Sequence, residues 1–278
     1  MNRWSIKLSL FLIITTLLSA AFWWKIITAG TLGVSGGLYV LALMWCPGIA
    51  ALLSRLILQR DLRGQGWALW RPRALVLAYL LPVAYALPVY IPVWLTHLGI
   101  FAPAHWAAGA TMVGAASSPA VGLALAATLG VVMSLLSAAG EEIGWRGYLV
   151  PVLAERLGTR ATVIVSSLIW AAWHMPLIIF ADYGAGTPLW WGIPCFVAMI
   201  LGLGIILGWL RLTSGSLWPA ALLHASHNLF VEGVFDGATT KLRWTHYATG
   251  EFGIGLAITI AIAAWLLAGS WLHQRARR

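Results

Sequence analysis

The sequence has very little charge. Only 9% of its 278 residues are charged and only eight of those are acidic, whereas about 25% is usual for a soluble domain. Hydrophobic residues make up 61% of the chain. This composition excludes an ordinary soluble globular fold. The two cysteines, Cys46 and Cys195, both lie in apolar runs, which excludes a disulfide framework and any zinc-finger spacing.

Long apolar runs are abundant instead. A membrane span with its loop takes roughly 30 residues, which allows about seven to nine spans in a chain of this length. The runs predict eight helices, at about 8–28, 32–58, 74–96, 119–141, 161–181, 188–210, 216–234 and 252–272. The expected fold is therefore all-α, a polytopic transmembrane helical bundle that forms one integral membrane domain over residues 1–278.

The basic residues are unevenly distributed. The formal charge of +9 could indicate a nucleic-acid partner, but an N-terminus in the cytoplasm would place 14 of the 17 basic residues on the inner side, all except Lys25, Lys241 and Arg243. The positive-inside rule then predicts that both termini are cytoplasmic. The expected partner of this charge is the anionic inner leaflet of the bilayer, with no nucleic acid. The excess of arginine over lysine indicates a bacterial gene, and hence a bacterial inner membrane.

Two adjacent acids interrupt this apolar sequence. Glu141 and Glu142 follow residues 120–140, which carry no charge, and carboxylates beside hydrocarbon usually have a function. Arg146 is four residues after Glu142, so the two share a helix face and are expected to form an ion pair. Glu141 is rotated by about 100° from Glu142. It is therefore expected to be the free carboxylate, available as a general base for water.

Three more polar residues lie in other apolar runs. His224 and Asn228 are four residues apart on one helix face, and their N–H groups could bind an oxyanion. His174 comes from a different predicted span and could share a water with Glu141. His227 points off the His224–Asn228 face by roughly 60° and is expected to be a bystander. The predicted depths differ, because Glu141 ends its span whereas His224 and His174 lie about 10 and 20 Å into theirs.

Each feature alone has a structural explanation. Glu142 and Arg146 can be a purely structural pair, and His224 with Asn228 can be a polar contact between helices. Their joint occurrence in three spans favours a hydrolytic site. Buried ionisable residues also occur in proton-coupled transporters, which stays an alternative, although no internal repeat is evident in the sequence.

Three motifs in this order resemble those of a known family. They are Glu141-Glu142-x-x-x-Arg146, Trp170-x-x-x-His174 and His224-x-x-x-Asn228. They resemble the EExxxR, [FW]xxxH and HxxxN motifs of the CAAX-protease and bacteriocin-processing (CPBP) family, which includes type II CAAX prenyl endopeptidases and self-immunity proteins. The resemblance covers about residues 120–235, which would form the catalytic core.

The resemblance implies an intramembrane endopeptidase that acts on a peptide or a membrane protein. Glu141 and His174 would activate water, and His224 and Asn228 would stabilise the oxyanion. Glu142 and Arg146 would hold the site. A non-catalytic immunity or scaffold protein that retains the motifs is the remaining alternative.

The resemblance leaves the use of a metal open. Glu141, His174 and His224 could supply three ligands to a catalytic zinc with one open position. The sequence has no HExxH motif, and asparagine at position 228 is a poor zinc ligand but a good oxyanion donor. We therefore expect a mechanism without a cofactor, with zinc as the alternative.

Overall fold

The computed structural model describes residues 3–69, 72–104, 106, 118–184 and 186–274. Four of the arginines predicted on the inner side lie outside these residues, namely Arg71, Arg275, Arg277 and Arg278.

All eight predicted apolar segments are helical. The helices are α1 (Arg3–Ala29), α2 (Leu38–Gln59), α3 (Pro72–Leu95), α4 (Pro119–Ala154), α5 (Thr159–Phe180), α6 (Leu189–Ser214), α7 (Trp218–His227, continued as a π-helix over Asn228–Asp236), the short α8 (Thr245–Ala248) and α9 (Ile254–Gln274). Two short strands, β1 (Gly99–Phe101) and β2 (Thr239–Lys241), pair antiparallel.

The predicted class of fold, a polytopic helical bundle, is confirmed. Within the described residues, six helices, α1 to α6, are long and apolar enough to cross a membrane. Large apolar side chains such as Leu17 and Trp265 are exposed on the outside of the bundle, as expected where lipid is the solvent. Helices α7 and α9 occupy the last two predicted segments, and the total of eight spans stays a prediction.

Helix α4 is longer than its predicted span. The predicted segment 119–141 ends at the glutamates, whereas α4 continues to Ala154 and has π-helical turns at Ala126–Gly130 and Trp145–Leu149. Every residue from 138 to 150 is buried. The charges at this point are therefore inside the bundle. Glu141 lines the same cavity as His174 and His224, so the mismatch in depth that the predicted spans implied is absent.

Glycines bring α2 and α4 into close contact. A Cβ atom on Gly140 would lie 2.7 Å from the carbonyl oxygen of Met44 and 2.8 Å from the Cα of Trp45. A Cβ on Gly48 would lie 2.5 Å from the carbonyl oxygen of Gly140. Small residues allow helix backbones to approach in this way in membranes. The contact fixes the rotation of α4 immediately before Glu141.

The two ends of the bundle differ. At the end that we call the basic end, the start of α1 meets the end of α4 through Lys7 and Glu155, whose Nζ and Oε1 are 2.6 Å apart. The loop 60–69 lies at the same end, where Trp218 Nε1 donates to the carbonyl oxygen of Trp67. The opposite end, which we call the sheet end, holds β1, β2, α8 and the segments 181–184 and 186–188. There the amide of Leu32 donates to Asp182.

We predict that a side chain at position 140 destabilises the protein. In Gly140→Leu the new atoms would meet backbone atoms of α2 that cannot rotate away, so unfolding should need about 1–3 kcal/mol less. Gly33→Leu is the matched control, because a Cβ there has its nearest neighbour at 3.6 Å. Thermal unfolding in detergent measures both. Equal melting temperatures for the two variants would contradict the packing argument.

Candidate active site

A buried ion cluster lies at the centre of the bundle. Glu142 Oε1 accepts hydrogen bonds from Arg146 Nη1 at 2.7 Å and from His224 Nδ1 at 2.8 Å. The side chains are almost fully buried, with Glu142 0%, Arg146 1% and His224 4% exposed. The predicted ion pair between Glu142 and Arg146 is confirmed. The guanidinium of Arg146 also lies over the ring of Trp170, 4.2 Å from its centre, so the cluster joins α4, α5 and α7.

Glu141 has quite different neighbours. Its Oε2 accepts hydrogen bonds from the indole N–H groups of Trp170 at 2.7 Å and Trp145 at 3.3 Å. Its Oε1 has no hydrogen-bond partner among the described residues. Two neutral donors thus hold the carboxylate in one orientation and leave one oxygen available. Trp145 shares the face of Glu141 because it is four residues further along α4, so the spacing of the two residues was a signal from which this contact could have been predicted.

The hydrogen-bond partner of His174 determines which of its ring nitrogens carries the proton. His174 Nδ1 is 2.8 Å from the carbonyl oxygen of Trp170, and a carbonyl can only accept, so Nδ1 carries a proton. In the neutral ring, Nε2 therefore keeps its lone pair. Rings of Trp173, Phe196 and Tyr183 surround the imidazole, with centres 4.9, 5.3 and 5.9 Å away. This packing restricts the direction in which Nε2 can point.

His224 and Asn228 are placed at one turn of α7 and its extension. The Nδ1–H of His224 is used by Glu142, so its Nε2 is the remaining polar atom. Because Nδ1 already donates to Glu142, Nε2 can donate only if both ring nitrogens are protonated. The side chain of Asn228 is half-buried and makes no hydrogen bond within the part of the chain that the structure describes. Its amide is free to bind a ligand.

These groups line one cavity of about 150 Å³. Glu141, His174, His224 and Asn228, from three separate helices, all contribute to its wall. Trp170, Trp173 and Leu177 supply part of the apolar wall. The convergence expected from the sequence is therefore present. Such a volume holds several water molecules, since one needs about 10–15 Å³.

The arrangement does not form a metal site as it stands. Across the described residues, no three His, Cys, Asp or Glu side chains are positioned to hold one metal ion. Glu141 Oε2 is taken by two indole donors. The donor set Glu141, His174 and His224 therefore does not fit a three-ligand zinc centre in this geometry. The absence of zinc from the protein stays a prediction.

His227 is not the bystander that the sequence predicts. It lines the same cavity, and its Nδ1 is 2.6 Å from the hydroxyl of Tyr85 while its Nε2 is 3.3 Å from Oε1 of Glu251. The hydroxyl of Tyr183 donates to the other oxygen of Glu251 at 2.7 Å. Glu232 also lines the cavity. No local spacing predicts this network, because its members are far apart in the sequence.

Fold and cavity together define a helical membrane protein with a buried glutamate–histidine site. Residues 123–230 match the family model described as type II CAAX prenyl endopeptidase Rce1-like. Over 113 residues the chain is 34% identical to "CAAX prenyl protease 2" of Methanococcus maripaludis, a match that covers 39% of this chain and 41% of that relative. The matched segment includes all three motifs. The expected resemblance to the CAAX proteases is thus confirmed over this segment, and the chain spans less than half the length of the relative that it matches.

We predict that Arg146 is needed for stability. Arg146→Ala would leave Glu142 buried with only His224 as a partner, and breaking a buried pair in this way costs about 3–5 kcal/mol. The control is Arg156→Ala, at an exposed position of the basic end, which should change the free energy of unfolding by at most about 0.5 kcal/mol. Thermal unfolding of both purified variants makes the comparison. A fully stable Arg146→Ala protein would contradict the role of the cluster.

Proposed function

We propose that the protein is an intramembrane endopeptidase that hydrolyses a peptide bond of a membrane-associated substrate. The observation that carries the proposal is the pair of adjacent glutamates. One is held in a buried ion cluster, while the other presents a carboxylate oxygen in a cavity that also holds two histidines and an asparagine. The family of the matched segment supports the same reaction class.

In the proposed first step, water lies between Glu141 and His174. Glu141 Oε1 takes a proton from this water, and His174 Nε2 orients it by accepting its second O–H. The water oxygen then attacks the carbonyl carbon of the peptide bond. The C=O double bond becomes a single bond, and its electron pair moves to the oxygen.

In the second step, His224 and Asn228 stabilise the tetrahedral oxyanion. The amide N–H of Asn228 and the Nε2–H of protonated His224 donate to it, in the manner of an oxyanion hole. The C–N bond then breaks, and the proton held by Glu141 passes to the leaving amine. The products are a carboxylic acid, which keeps the second proton of the water, and an amine, and Glu141 is ionised again once its proton has left.

Glu142 is unsuited to the role of base. Its Oε1 already accepts hydrogen bonds from Arg146 and His224, and its Oε2 is buried without a hydrogen-bond partner in the described parts of the chain. Protonation of Glu142 would remove the anion that both cations need. We therefore assign Glu142 and Arg146 to holding the site and Glu141 to the chemistry.

We expect Glu141→Gln to lose at least about 10²-fold in cleavage rate, which is typical for the loss of a positioned base. The melting temperature should stay close to that of the wild type, because a glutamine can still accept from the two indoles. Glu155→Gln is the control, since Glu155 is exposed at the basic end. Comparative proteomics of membrane peptides in cells with wild type, Glu141→Gln and Glu155→Gln identifies the substrate and measures the loss. Undiminished cleavage by Glu141→Gln would overturn the assignment.

We expect the purified protein to contain no stoichiometric zinc. The reason is the donor set, in which Asn228 shares the turn of His224 and one oxygen of Glu141 is used by indoles. Elemental analysis of the folded protein, combined with chelator treatment and zinc addition, measures this directly. About one zinc per chain, lost together with activity in His174→Ala and His224→Ala, would show that the site is a metal centre.

A further inference from the structure

The catalytic cavity is closed toward the basic end of the bundle. Gln65 in the loop 60–69 is fully buried; its Nε2 donates to the carbonyl oxygen of Ile143 at 2.5 Å, and its Oε1 accepts from Arg55 Nε. Arg211 donates to the carbonyl oxygens of Arg146 at 2.9 Å and Gly64 at 3.0 Å. The loop therefore packs against α4 directly beside the glutamates. Protein atoms fill this side of the site.

The other side of the catalytic cavity leads to a second cavity. This second cavity, of about 250 Å³, is lined at the sheet end by Gly184, Thr187, Asp236, Lys241 and His246, among others. Four residues line both cavities, namely Leu32, Tyr183, Glu232 and Glu251. The two cavities therefore adjoin, and the route from Glu141 away from the basic end passes along these shared residues.

The two ends of the bundle differ in their number of basic residues. Nine described basic residues belong to the helix ends and loops of the basic end: Arg3, Lys7, Arg55, Arg60, Arg63, Arg73, Arg156, Arg160 and Arg211. The sheet end has Lys25, Lys241 and Arg243. By the positive-inside rule the basic end faces the cytoplasm. The sheet end, where the second cavity lies, then faces away from the cytoplasm.

We infer that the site receives its substrate from the extracytoplasmic side. The substrate class that fits is the extracytoplasmic juxtamembrane segment of a membrane-anchored polypeptide, which can reach Glu141 along Leu32, Tyr183 and Glu251. The loop 60–69, which Gln65 and Arg211 hold against α4, would separate a segment at the cytoplasmic surface from Glu141. The substrate class rests on the proposed endopeptidase function, whereas the side of access does not.

Cysteine labelling tests the side of access without any need for cleavage. In a background with Cys46→Ala and Cys195→Ala, three single variants are compared: Leu32→Cys in the wall shared by both cavities, Thr187→Cys in the second cavity and Arg156→Cys at the basic end. A membrane-impermeant sulfonated maleimide is added to intact cells and to inverted membrane vesicles. We expect Leu32→Cys and Thr187→Cys to react in intact cells, and Arg156→Cys to react only in inverted vesicles. Reaction of Leu32→Cys only in inverted vesicles would overturn the inference.

The cut sites provide a second, separate readout. Peptides that disappear from the membrane fraction when Glu141→Gln replaces the wild type should map to extracytoplasmic segments of their parent proteins. Cut sites in cytoplasmic segments would overturn the inferred substrate class while leaving the peptidase function intact. If no peptide depends on Glu141, the proposed function fails, and the labelling pattern still decides the side of access.

Discussion

The rest of the site depends on one buried charge, the carboxylate of Glu142. Taking a carboxylate out of water costs several kcal/mol, and that cost is offset only by well-placed partners. Arg146 supplies the first partner one turn further along α4, and His224 supplies the second from α7. Trp170 of α5 covers the guanidinium of Arg146. The contacts that stabilise the Glu142 carboxylate therefore join α4, α5 and α7. His224, which Glu142 orients, also lines the cavity.

The helix explains how two adjacent glutamates can differ. A step of one residue turns the side chain by about 100°, which moves Glu141 from the cations of the cluster to the indoles of Trp145 and Trp170. Neutral donors restrain a carboxylate without fixing it as a permanent ion pair. The ion cluster around Glu142 stabilises the bundle, whereas Glu141 keeps one carboxylate oxygen available. A reaction at Glu141 therefore does not require the ion cluster to be broken.

Local spacing predicted part of this arrangement. The apolar runs predicted the helices, and the four-residue spacing predicted the pair of Glu142 and Arg146. The end of α4 was predicted wrongly, because charges often mark the end of a span, whereas this helix continues and its charged side chains have partners within α4 and from α5 and α7. The partners of His227, which are Tyr85 and Glu251, were beyond prediction. They come from elements far apart in the chain, and only tertiary packing brings them to the cavity.

The central claim is that Glu142 holds the structure and Glu141 performs the chemistry. Melting temperature and cleavage rate measured side by side for Glu141→Gln and Glu142→Gln test it most directly. Glu142→Gln should unfold at a clearly lower temperature, because Arg146 would stay buried without its counter-ion. Glu141→Gln should melt like the wild type and cleave far more slowly. A stable Glu142→Gln that loses only activity, or an active Glu141→Gln, would contradict the account.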